Sequence, residues 1–242
     1  MMKRYEMPWQ PSLPNKSGEK RRRNTMKKIG VVLSGCGVFD GSEIHEAVFT
    51  LLAIDLAGCE AVCMAPNLEF AVTDHLTKQD AGEKRNMLVE SARIARGKIL
   101  DIKDVKAADL DAIILPGGFG AAKNLCDFAV KGFAATVNPD VIRLLKEMHA
   151  AQKPIGAICI APALLAAALG NEISPTVTIG NDAGTAAEIE KTGAKHQNCP
   201  VTDFVVDAGN KIVTTPAYML AGRISEAYEG IEQCVKAVVQ LI

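Results

Sequence analysis

Four short apolar runs constrain the fold of this chain more than any other feature. They lie at 28–34 (KIGVVLS), 60–65 (EAVCMA), 111–115 (DAIIL) and 155–158 (IGAI), and each is continuous rather than alternating. Strands of a parallel sheet read this way, because helices cover both of its faces. Stretches of helical character separate the runs. One spans 43–57 and stops at Gly58, one lies at 140–150, and an alanine-rich one at 161–169 stops at Gly170. Further helices are expected at 85–96, 183–192 and 218–239, and a further strand at 176–179. Ala208-Gly209-Asn210 separates 204–207 from 211–214 as the turn of a hairpin. The pattern predicts a single doubly wound α/β domain over 26–242, its mostly parallel sheet flanked by helices on both faces.

The 242 residues hold 27 basic and 28 acidic side chains, a net charge of −1, which disfavours nucleic-acid binding through overall positive charge. No apolar run approaches the roughly 18 to 20 residues of a membrane helix, so no membrane partner is expected. The near-neutral total hides a division. Residues 1–25 carry seven basic and two acidic side chains, so 26–242 carry a net −6. This first segment contains three prolines and the run Lys20-Arg21-Arg22-Arg23. It lacks the apolar stretch of a secretory signal and fits a mitochondrial presequence poorly. It is expected to be a disordered basic extension, with Met26 resembling an ordinary start. Seven cysteines, an odd number without an export signal, point to reduced thiols in the cytoplasm. Cys59 and Cys63 form a pair that nothing completes into a metal set. The histidines at 45, 75, 149 and 196 are scattered, so neither metal nor cofactor is expected.

Three strand ends carry the candidate chemistry. Cys159 stands in Gly156-Ala157-Ile158-Cys159-Ile160-Ala161-Pro162, between an apolar strand and a helix. A nucleophile elbow needs small residues two before and two after the nucleophile, and Ala157 and Ala161 supply them. A helix N-terminus there would favour thiolate. A buried structural thiol is the plain alternative. Pro116-Gly117-Gly118-Phe119-Gly120 is a strand-end turn whose N–H groups could serve an oxyanion, and it lacks the ending of a phosphate loop. Glu43 and Glu46 open the first helix, where acidic residues either complement the dipole or face Cys159. His45 is beside them. Cys36, in Gly35-Cys36-Gly37, is a second thiol at a strand end.

Taken together and in this order, these pieces resemble the PfpI/ThiJ-like branch of the class I glutamine-amidotransferase-like superfamily. Within it, SGCGVFDGSEIHEAV (34–48), PGGFGAAKNL (116–125), CIAPALL (159–165) and KIVTTPAYML (211–220) are similar to the ElbB-type glyoxalases. The resemblance covers nearly all of 26–242 and implies a flavodoxin-like fold with a nucleophile elbow. It also implies a cofactor-independent glyoxalase, a lyase-type enzyme turning glyoxal and water into glycolate through a hemithioacetal on Cys159. Counting back from Ala57-Gly58 puts the family's proton-exchanging glutamate on Glu46. Gly118 and Ile160 would supply the oxyanion N–H groups, with Glu43, Cys36 and His45 as accessories. A small aldehyde or dicarbonyl substrate and a homodimer are further implications. Two departures stand out. Ile160 occupies the place of the histidine that follows the nucleophile in peptidase-like members. Gly180-Asn181-Asp182 lacks the histidine common in glyoxalase-like relatives, so turnover is expected to be slow or restricted to a small substrate. The alternative is a redox-sensing or regulatory protein with a reactive cysteine.

Overall fold

In the computed structural model, which describes residues 26–242, the apolar runs lie side by side as strands. In chain order the strands are β1 (Lys28–Val32), β2 (Glu60–Ala65), β3 (Glu69–Thr73), β4 (Asp80–Asn86), β5 (Leu100–Asp101), β6 (Ala112–Leu115), β7 (Ile155–Ile158), β8 (Thr176–Val177), β9 (Lys195–His196), β10 (Val205–Asp207) and β11 (Ile212–Thr215). The helices are α1 (Ile44–Leu56), α2 (Met87–Ile94), α3 (Phe119–Lys123), α4 (Phe128–Lys131), α5 (Pro139–Ala150), α6 (Ala161–Ile173), α7 (Ala183–Lys191) and α8 (Ile224–Gln240). Seven strands form the main sheet in the order β10-β11-β7-β6-β1-β2-β5. Its pairs are parallel except for the β10–β11 hairpin.

Alternate residues of each central strand feed opposite cores. Val32, Ile113, Leu115, Ile155 and Ala157 face one layer, where they meet Leu144 and Met148 of α5 and the apolar residues of α6. Ile29, Val31, Ala112, Ile114 and Ile158 face the other, against Ala53 and Ile54 of α1 and Val235 and Val238 of α8. Continuous apolar runs follow directly from this two-sided burial.

The order also fixes where a site can form. From β1 the chain moves outward through β2 to β5, then returns to the far side of β1 as β6 and continues to β7 and β11. The reversal falls between β1 and β6. In open sheets the crevice beyond such a switch point, at the carboxyl ends of the strands, receives ligands.

The expectations need correction in four places. The alanine-rich helix does not stop at Gly170 but runs on to Ile173, ending at a left-handed Ser174. The helix read at 85–96 begins at Met87, where Asn86 accepts the N–H of Val89 as cap. Before it stands the antiparallel ribbon β3–β4, whose second strand, DAGEKRN, is exposed along nearly its whole length. Such a strand has no buried face and so no alternation to read. The strand expected at 176–179 is reduced to β8, which pairs with β9 outside the main sheet. The final helix begins at Ile224, not at Tyr218, because residues 217–219 close a 3-10 turn first. The basic extension expected at 1–25 lies outside the described residues.

Candidate active site

Beyond β7 the chain turns sharply into α6, and Cys159 sits on the turn with φ +62°. A non-glycine residue in this left-handed region carries roughly 1–2 kcal/mol of strain, so the surroundings must hold it there. They do so from both sides. The Cys159 N–H donates to the Thr215 carbonyl at the end of β11 (2.9 Å), and the Ala163 N–H donates to the Ile160 carbonyl to start the helix. Ala157 and Ala161 are fully buried on either side. Pro162 occupies the first turn, where a missing N–H costs nothing. The predicted elbow is present.

Facing it is Glu46, fully buried on the first turn of α1. Its Oε2 accepts the Gly117 N–H (3.0 Å) and its Oε1 accepts the Tyr218 N–H (3.2 Å). The same Oε2 and the Cys159 Cβ flank one point, the place a Cβ on Gly117 would take, so carboxyl and thiol lie side by side. Burial, reinforced by the negative charge of Glu43, pushes the Glu46 carboxyl up to about 8, against the pull of the two N–H donors. Burial also drives the Cys159 thiol well above its ordinary value, and the Glu46 carboxylate adds to this. The N–H groups of Gly118 and Ile160 act on the sulfur in the opposite direction. The thiolate expected at a helix N-terminus is therefore outweighed. Near neutral pH the pair holds both protons, and the first to leave belongs to the pair rather than to either residue.

The turn after β6 is glycine for two separate reasons. A Cβ on Gly117 would lie 2.5 Å from both the Cys159 Cβ and Glu46 Oε2. Gly118, at φ +96°, would press its Cβ to 2.3 Å from the Glu43 nitrogen. Only bare backbone lets three elements meet at this distance.

Of the residues singled out from sequence, Cys159, Glu46, Gly118 and Ile160 come together. Glu43 caps α1, accepting the Glu46 N–H at 2.7 Å, and so reaches the pair through its partner's backbone. His45 is half-exposed and pairs through Nδ1 with the Tyr218 hydroxyl at 2.9 Å. Cys36 lies beside Glu90, Arg93 and Asp40, and burial followed by the Glu90 charge raises its thiol. His75 accepts the Phe39 N–H and His196 the Ile179 N–H, which makes both of them loop fasteners. Asp182, in the segment without a histidine, caps α7 by accepting the Thr185 N–H at 2.7 Å. Tyr218 was missed. It contributes a backbone N–H, and the only signal for it was its place inside the motif at 211–220. Among the described residues, no group of three or more His, Cys, Asp or Glu could hold a metal ion.

A left-handed cysteine after a parallel strand, paired with a buried glutamate from the first helix, defines a class of flavodoxin-like proteins with a cysteine elbow. The chain belongs to the DJ-1/PfpI family, whose sequence pattern matches residues 37–217. It is 48% identical over 226 residues to human "Glutamine amidotransferase-like class 1 domain-containing protein 3, mitochondrial", covering 88% of this chain and 83% of that protein. The zebrafish "ES1 protein, mitochondrial" is 34% identical, with 88% of this chain and 85% of that one covered. Among solved structures, an isoprenoid biosynthesis protein with an amidotransferase-like domain from Ehrlichia chaffeensis superposes with a TM-score of 0.84 at 38% identity. The match covers 89% of this chain and 99% of that one. Drosophila DJ-1beta, at 17% identity and a TM-score of 0.53, shares the fold.

Proposed function

We propose that the protein is a slow, cofactor-independent glyoxalase that converts glyoxal or a related dicarbonyl to the hydroxy acid. The observation that carries this reading is the buried contact between Cys159 and Glu46 at a strained elbow. The sulfur adds to an aldehyde carbon, and its proton passes by way of Glu46 to the new alkoxide, giving a hemithioacetal. In the form of the pair that has lost its first proton, Glu46 is then the base: it removes the C–H proton from that carbon, and the electron pair moves to the neighbouring carbonyl to form an enediolate. Return of that proton to the second carbon, with the first carbon's hydroxyl proton passing to the second carbon's oxygen, leaves a thioester of glycolate. Water cleaves the C–S bond, glycolate departs and the thiol is restored. The N–H groups of Gly118 and Ile160, which favour negative charge on the sulfur, would steady the oxygen that develops on the attacked carbon.

Incubating the purified protein with glyoxal should yield glycolate. Cys159→Ser should abolish the conversion while Cys36→Ser retains it, and full activity in the Cys159 variant would overturn the proposal.

Residues 26–242 act in this reading as one catalytic domain and pair as a homodimer. We place the protein in the cytoplasm, where its free thiols stay reduced. The human and zebrafish relatives carry "mitochondrial" in their names, and cell fractionation separates the two compartments.

A further inference from the structure

A cavity of about 490 Å³ opens beside the elbow. Phe119, Ala122, Phe128, Ala129 and Ile160 form its apolar walls. Two of these residues tie it to the chemistry. Ile160, which lines the cavity, directly follows Cys159 in the chain, and Phe119, another lining residue, directly follows Gly118. A carbonyl held by the Gly118 and Ile160 N–H groups therefore has the cavity next to it. The lining also includes Asp182, engaged as the cap of α7, and Glu188, paired with Lys191, and none of the described residues lining the space is basic. Such a pocket favours an uncharged group and disfavours a carboxylate or phosphate tail.

Resting on the glyoxalase reading, we infer that the preferred substrate is a 2-oxoaldehyde bearing a neutral aromatic or bulky apolar substituent, which occupies this cavity while the aldehyde meets Cys159. Glyoxal, having no substituent, leaves the cavity unused. An apolar group gained or lost in such a pocket changes kcat/KM by about tenfold or more.

The test compares phenylglyoxal with glyoxal on the full-length protein and on Ala129→Trp. Ala129 is an exposed lining residue outside the Cys159–Glu46 machinery, and the larger side chain fills the cavity. The wild type should favour phenylglyoxal in kcat/KM by at least about tenfold. Ala129→Trp should erase that preference and leave glyoxal turnover within about twofold, which also shows that the variant folds. Equal or better use of glyoxal by the wild type, or a parallel loss of both activities in the variant, overturns the inference. Absence of turnover on both substrates sinks the proposed activity instead. The cavity is then read by alkylation of Cys159 with phenacyl bromide and iodoacetamide, each normalised to free cysteine. A phenacyl preference that Ala129→Trp removes upholds an aromatic site, and its absence overturns one.

Discussion

Cys159 was legible because an elbow leaves a trace in side-chain size: Ala157 and Ala161 are small where larger groups would collide. Glu46 needed the family resemblance to separate it from Glu43, since both occupy the start of one helix. Their different fates follow from the helix turn. Glu43 is spent on the cap, while Glu46 points inward to full burial. Tyr218 was illegible because its contribution is a peptide N–H, delivered by a turn in which Ala217 adopts φ +43°. The raised carboxyl carries a testable sign. Folded Glu46 keeps its proton to about pH 8, whereas the ordinary value of 4.5 governs the unfolded chain. Its contribution to stability is thus complete below 4.5 and lost as pH climbs to 8. Unfolding free energies from urea titrations should fall across that window by up to about 1.4 kcal/mol per pH unit from this group, and Glu46→Gln should flatten the slope. Activity should rise toward pH 8 as the pair loses its first proton, which a kcat/KM profile checks.

Periodicity reports burial, and where elements departed from it the sequence misled. The ribbon β3–β4 shows both cases: Phe70 and Val72 of β3 dip into a core, while β4 touches solvent nearly throughout. The start of α8 is set by Glu226, which accepts the N–H groups of Gly222 and Arg223, and not by its apolar stripe. Helix α1 has the opposite character. Beyond its buried side, it exposes Ile44, Val48, Leu52 and Leu56 at intervals of four, each between 42% and 62% accessible. A helix apolar on both sides fits burial on both sides, so this stripe is where the proposed second copy would pack. Leu52→Glu should convert a dimer to a monomer in light scattering. An unchanged mass would remove this helix from the interface.

At the scale of the molecule the sheet order places everything else. The direction reverses between β1 and β6, and the segments after those strands deliver Glu46 and Gly117 to each other. The double core behind them should be sensitive to small cavities. Leu144→Ala, deep in one layer, should cost about 2–5 kcal/mol in chemical denaturation, while Leu76→Ala, 95% exposed, should stay within about 0.5. That much of the architecture was readable, since parallel strands announce themselves as apolar runs. The meeting of distant strand ends was not, because no local pattern encodes it.

A count of lone pairs at position 46 follows from that meeting. The side chain must accept one N–H from the turn after β6 and another from the turn after β11. A glutamine amide has one oxygen to accept with and two N–H groups that only donate. It would set donor against donor at one of the two peptides. An aspartate keeps both oxygens but is one methylene too short to reach the same places. Position 46 thus admits a carboxyl on a two-carbon stem for reasons of bonding alone, before any reaction is considered.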